Sequence, residues 1–259
     1  MPNTVIIIPA RYGSTRLPGK PLIDIAGKTM VERVWQLASQ VRGVSAVLIA
    51  TDDERIMEEA ASFGGDAVMT PDTCKNGTER ALAAVEAEGL MPDIVINLQG
   101  DAPLTPPWVI QAMVDEMASG TTADICTPAT RLTGEKLDYF LQEKQITPQT
   151  GTTVVMDADQ YALYFSKSIL PFSRTEREEV FRHVGLYAYK IDALKALCAL
   201  PESPLEKAEK LEQLRALENG LSIKVTIVDY RGRSHASVDA LEDVARVEKI
   251  LAAEGELTE

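Results

Sequence analysis

Cations are scarce in this chain: 26 lysines and arginines face 39 acidic residues, giving a net charge of -13 and a pI near 4.7. Binding a nucleic-acid backbone needs a broad basic surface, so nucleic acid is not an expected partner. The three cysteines, Cys74, Cys126 and Cys198, are odd in number and lack metal-like spacing. They read as reduced small hydrophobes rather than a disulfide framework. Only two histidines are present, His183 and His235, with no Cys/His cluster and no H-E-x-x-H, so a zinc site is not expected. A G-x-S-x-G elbow is missing as well. No run approaches eighteen apolar residues, and the N-terminus has no basic segment followed by a long apolar core. The expectation is a soluble, cytoplasmic protein without a membrane partner.

What is present is an ordinary globular composition, 45% apolar and 25% charged over 259 residues. That suffices for one large domain, or one domain with a subdomain. Strand and helix signals alternate in the first half. Val5–Ile8 reads as a buried strand, and Thr29 to Glu32 as a capping box opening a helix with Met30, Val34, Leu37, Ala38 and Val41 at helical spacing. Val44–Ala50, Ala67–Met69 and Ile94–Leu98 read as further strands. Helices are expected from about Asp53 to Phe63 and through Ala81 to Ala87. Repeated βαβ units imply a doubly wound, mostly parallel α/β sheet.

The second half predicts strands near Ile125–Ala129, Thr152–Asp157, Tyr161–Phe165, Gly185–Tyr189 and Ile223–Val228. Helices are expected from Asp192, from Pro204 to Glu218 and from about Ala240 to Ala253. Thr133–Thr150 reads as a long polar connection. The alternation in Tyr161–Phe165 suggests a smaller, mixed or antiparallel region.

Candidate chemistry concentrates after the first strand, in Pro9-Ala-Arg-Tyr-Gly-Ser-Thr-Arg-Leu-Pro-Gly-Lys20. Open α/β sheets place ligands at the carboxyl ends of their strands. Arg11, Arg16 and Lys20 in a tight loop on an acidic chain suggest a small polyanion such as a nucleoside triphosphate, against the alternative of a solvated basic loop. The Gly13-to-Gly19 spacing and Pro21 exclude a Walker A loop, and the G-x-G-x-x-G pattern is absent. Asp101, just past the Ile94–Leu98 strand, either holds Mg²⁺ or makes an Asx-turn. Asp239 reads first as the N-cap of the last helix, with Glu242 at capping-box offset, and second as a metal ligand. His183 at a strand entrance reads as structural. Glu212 and Gln213 sit in what reads as mid-helix, where such residues are usually solvated.

Together these segments carry a resemblance. The Pro9–Lys20 loop, Ala50-Thr-Asp-Asp53, Asn76-Gly-Thr-Glu-Arg80, Asn97-Leu-Gln-Gly-Asp101, Tyr161–Ser166, Arg182-His-Val-Gly-Leu-Tyr187, Pro204–Glu206 and Glu212-Gln-Leu-Arg215 resemble, in order, the 3-deoxy-manno-octulosonate cytidylyltransferase family of lipopolysaccharide assembly. The resemblance implies a nucleotide-diphospho-sugar transferase-like domain spanning 1–259, with an inserted β-rich subdomain at about 125–190 used to form a homodimer. It implies CTP and an ulosonic acid as substrates, with CMP passing to the acid's anomeric hydroxyl and pyrophosphate leaving. Pro9, Ala10, Arg11, Ser14, Lys20, Asn76, Gly77, Arg80 and Gln99 would bind the nucleotide. Arg11, Arg16 and Lys20 would neutralise its phosphates, and Asp101 and Asp239 would hold Mg²⁺. Lys167, His183, Tyr187, Glu212 and Gln213 would contact the sugar acid.

The chain departs from that pattern on the sugar side. Ala102 stands for a glutamate, Lys167 for an arginine, Thr152-Thr153 for Val-Lys, and Val238-Asp-Ala-Leu241 for Val-Asp-Thr-Pro. These changes motivate a related acid, such as an amino sugar or a nonulosonate, as an alternative acceptor. A sugar-phosphate acceptor would need a second cation cluster. A silent nucleotide-binding protein would not need both aspartates.

Overall fold

The computed structural model describes residues 2–13 and 17–257. The chain begins with β1 (Thr4–Pro9), whose Ile6, Ile7 and Ile8 are fully buried. A strand apolar on both faces needs a layer on each side, and each such side chain contributes roughly 1.5–3 kcal/mol on burial. A short hairpin of β2 (Asp24–Ile25) and β3 (Lys28–Thr29) leads into α1 (Met30–Ala38). The Thr29 side chain caps α1 by accepting the Glu32 N–H, as the sequence pattern predicts. Then come β4 (Ala46–Thr51), α2 (Glu54–Ser62), β5 (Asp66–Met69), α3 (Gly77–Ala87), β6 (Ile94–Leu98) and α4 (Pro107–Ala118). The second half runs β7 (Ile125–Leu132), α5 (Gly134–Ile146), β8 (Thr152–Met156), β9 (Ala162–Ser166), β10 (Val180–His183) and β11 (Leu186–Lys190). It closes with α6 (Ile191–Ala199), α7 (Pro204–Glu209), α8 (Gln213–Glu218), β12 (Ile223–Val228) and α9 (Leu241–Glu254).

One ten-stranded sheet runs β5-β4-β1-β6-β11-β7-β10-β8-β9, with β12 on the other edge of β7. From β5 to β6 all pairs are parallel, whereas β11 enters antiparallel between β6 and β7. The fold is therefore the expected α/β class. Side-chain alternation along β1 builds the layers. Ile6 and Ile8 face the cluster with Val31 and Val34 of α1 and Val109 and Met113 of α4; Val5 and Ile7 face Ala81 and Val85 of α3 and Leu194 of α6. The β-rich half curls back on itself: Tyr161 bridges Lys224, and the Val225 N–H donates to the Gln160 carbonyl at 2.8 Å.

Two elements correct the sequence reading, and β2, β3, α4 and β10 add elements that it does not place. The Thr133–Thr150 "connection" holds α5, whose Leu137 and Phe140 are buried against Leu132 and Val180. One narrow apolar stripe on an otherwise polar helix gave too weak a periodicity to read. The expected helix from Pro204 to Glu218 is two, broken at Lys210 in the left-handed region (φ 56°). The break brings Glu206 onto Arg215 through two hydrogen bonds of 2.9 and 2.7 Å. Nine residues apart on a continuous helix, they would lie on opposite faces, about two and a half turns along.

Candidate active site

The carboxyl ends of β1 and β6 and the start of α3 enclose a cleft of about 470 Å³. Pro9, Ala10, Arg11, Lys20, Asn76, Gly77, Arg80 and Gln99 all line it, together with Asp101 and Asp239. Every described residue expected at the nucleotide thus lines one cavity; Ser14 and Arg16 lie outside the described residues. Gly100 makes the approach possible, because a Cβ there would sit 2.5 Å from the Pro9 carbonyl oxygen, an impossible contact. Gly19 closes the basic loop in the left-handed region (φ 71°), its N–H donating to the Tyr12 carbonyl at 3.0 Å.

The roles within the cleft differ in detail from the sequence reading. Arg80 is buried, with its guanidinium committed to the Asp52 carboxylate and the Thr70 hydroxyl, both at 2.7 Å. Asp52 also accepts the Tyr12 N–H at 3.3 Å, so Arg80 and Asp52 brace the loop that leaves β1. Asn76 caps α3, its side-chain oxygen accepting the Glu79 N–H at 2.8 Å, and lines the cleft. Arg11 is exposed at the rim. Cys74 and Lys75 also line the cavity. Only their closeness to Asn76 pointed to them in sequence.

Lys20 ties three loops together. Its ammonium donates to Asp101 Oδ2 at 2.8 Å, to the Val238 carbonyl at 2.9 Å and to Asp239 Oδ1 at 3.4 Å. The Val238 N–H in turn donates to the Asp101 carbonyl at 2.9 Å. Residues 81 and 219 positions away are thereby held on one cation. Asp239 is not the cap of α9. Ala240 stands at the N-cap, and Asp243 reaches back from the first turn, its carboxylate accepting the N–H groups of both Asp239 and Ala240 at 2.9 Å. Of the two alternatives for Asp101, the Asx-turn is not the one formed: its carboxylate goes to Lys20.

Beside the cleft lies a second polar cluster. His183 is buried, and its Nε2 lies 2.8 Å from the Thr127 hydroxyl. That hydroxyl donates its one proton to the Leu186 carbonyl at 2.8 Å, which assigns the Nε2 proton to His183 and leaves Nδ1 an acceptor. Burial pushes the imidazole down to about 3, so it is neutral at pH 7. Tyr187 packs against it at 5.4 Å between ring centres, and Phe165 at 5.1 Å. Glu212 and Gln213 are not solvated, because the break after α7 turns them inward. Gln213 is buried, and burial raises the Glu212 carboxyl against a hydrogen bond from Thr78.

The two clusters are joined. Gln99 donates to Asn97 at 3.4 Å and Asn97 to Thr78 at 3.5 Å, the residue that also holds Glu212. Lys167 links them on the other side. Burial disfavours its ammonium, while Glu209 and Asp239 stabilise it, and its charge bears on His183.

Comparison with known proteins identifies the family. The sequence matches the cytidylyltransferase family over residues 5–224. It is 52% identical to the 3-deoxy-manno-octulosonate cytidylyltransferase of Maricaulis maris (strain MCS10), covering 98% of this chain and 99% of that protein. It is 41% identical to the 8-amino-3,8-dideoxy-manno-octulosonate cytidylyltransferase of Shewanella sp. (strain W3-18-1), covering 97% and 99%. Among solved structures, a CMP:2-keto-3-deoxy-manno-octonic acid synthetase complexed with CTP superposes with a TM-score of 0.86 at 37% identity, covering 97% of this chain and 99% of that one. The chain belongs to the cytidylyltransferase family, among the 3-deoxy-manno-octulosonate cytidylyltransferases.

Proposed function

We propose that the chain transfers CMP from CTP to the anomeric hydroxyl of 3-deoxy-D-manno-octulosonate, releasing pyrophosphate, as a Mg²⁺-dependent step of lipopolysaccharide biosynthesis. The observation that carries this reading is the meeting of Lys20, Asp101 and Asp239 between the nucleotide cleft and the His183–Glu212 cluster. The donor chemistry fits Mg²⁺: two carboxylates converge on one cation position, which the Lys20 ammonium shares. Among the described residues no group of three acidic, histidine or cysteine side chains could hold a metal. A two-carboxylate site suits Mg²⁺, which fills its remaining positions with water and substrate phosphates. When bound, Mg²⁺ would neutralise the α-phosphate and favour the acceptor's alkoxide.

The chain's own groups do the rest by position and charge. Arg11 at the rim supplies countercharge for the phosphates, and the start of α3 turns backbone N–H groups toward the cleft. Neutral His183 offers Nδ1 to a sugar hydroxyl, Glu212 and Gln213 offer further polar contacts, and Lys167 faces the acid's carboxylate. Lys167 holds it as a point charge, without an arginine's two-pronged geometry. We also propose that the chain forms a homodimer through the 125–190 segment, where Tyr139, Ile146, Leu163 and Phe172 stand exposed.

The test is pyrophosphate release with each nucleoside triphosphate against a panel of ulosonic acids and sugar phosphates. Turnover with CTP and 3-deoxy-D-manno-octulosonate is expected. Turnover confined to the 8-amino acid would move the acceptor and keep the chemistry, and no turnover of CTP with any ulosonic acid would sink the reading.

A further inference from the structure

The segment carrying Lys167 is gripped from several sides by groups outside both clusters. Lys144 of α5 is only 7% exposed. Its ammonium donates to three main-chain carbonyls, those of Pro148 at 3.1 Å, Gly151 at 2.9 Å and Lys167. Three protons meet three acceptors, so a buried charge is fully bonded without a carboxylate. From α7, Glu209 accepts the Lys167 N–H at 2.8 Å and the Ser166 hydroxyl at 2.6 Å. From β8, the Thr153 hydroxyl donates to the Ser168 carbonyl at 2.7 Å and accepts the Leu170 N–H at 3.2 Å. The main chain from Ser166 to Leu170 is pinned, and the side chain of Lys167 is the part left to reach a ligand.

We propose that Lys144 is a positioning residue for the acceptor: by fixing the Lys167 carbonyl against the grip of Glu209, it sets where the Lys167 ammonium stands between Asp239 and His183. This inference rests on the acceptor being an acid held by Lys167. A buried cation is an expensive way to fill space, since an apolar side chain of the same length would do that better. Burial and the nearby charges of Lys167 and Arg182 lower the Lys144 ammonium to about 8, with Glu209 acting the other way. Its cost is matched by what it alone supplies, a three-way tie between the end of α5, the turn before β8 and the exit of β9.

Wild-type turnover of CTP with the acid decides the functional reading by itself; Lys144→Met and Glu209→Gln then test the inference. In each variant KM for the acid rises roughly tenfold or more while kcat and KM for CTP stay within about twofold. Lys144→Arg, still able to donate to carbonyls, recovers part of the loss. A merely structural lysine would lower the melting temperature and leave KM for the acid unchanged, and that result overturns the proposal. An equal rise of both KM values overturns it too. Should Lys144→Met fail to fold, Lys144→Arg carries the comparison: its longer, displaced donor should raise KM for the acid severalfold with kcat and KM for CTP within about twofold, and an unchanged KM for the acid overturns the proposal.

Discussion

Asp239 lies just before α9 and Asp243 within its first turn, and the two carboxylates do different work. Asp243, in the first turn of α9, accepts the N–H groups of Asp239 and Ala240 that lead into the helix, while the Asp239 carboxylate shares Lys20 with Asp101. Asp243→Ala should therefore cost about 1 kcal/mol of stability, read by urea unfolding, and leave activity near wild type. His183 and His235 set a second prediction at this scale. Burial lowers both to about 3, from 6.5. Between those values the unfolded chain binds protons that the folded chain refuses. Stability is thus complete above pH 6.5 and falls as pH drops toward 3. Unfolding at pH 7.5, 6, 5 and 4 should show this slope, and His183→Gln should remove about half of the histidine contribution, leaving the part due to His235. An unchanged slope would mean that His183 is reached by water.

At the scale of elements, the first half was legible because each buried parallel strand is a continuous apolar run closed by a polar turn. Ile94–Leu98 falls where the sequence places it, and in the second half the alternating Ile223–Val228 does too. The failures have physical causes. α5 buries one thin stripe. α4 opens at Pro107 and has no counterpart in the sequence reading, although Val109, Ile110, Met113 and Met117 have helical spacing and proline suits a first helical position. The α7–α8 break is written in no local signal, because it is driven by a pair that meets only after folding. Arg215 bonds Glu206 and donates to the Leu197 and Leu200 carbonyls. Arg215→Met should strand the Glu206 carboxylate at a cost of about 3–5 kcal/mol. Lys210→Gly, at a left-handed position, should be neutral or mildly stabilising in the same unfolding assay.

Across the whole molecule, the parallel half of the sheet presents the nucleotide cleft and the antiparallel half presents the His183–Glu212 cluster. Their junction is the β12–α9 loop that delivers Asp239. The nucleotide side was readable from one loop and one strand end. The proposed acceptor side was named only through the resemblance, since Lys167, His183 and Glu212 lie at separate elements and local pattern reads His183 as structural and Glu212 as solvated. The most direct test of the account is pyrophosphate release from CTP and 3-deoxy-D-manno-octulosonate as a function of Mg²⁺, in the wild type and in Asp101→Ala and Asp239→Ala. Release should require the divalent ion and fall at least about a hundredfold in each variant while the melting temperature holds. Full activity in Asp239→Ala, or Mg²⁺-independent release by the wild type, would contradict it.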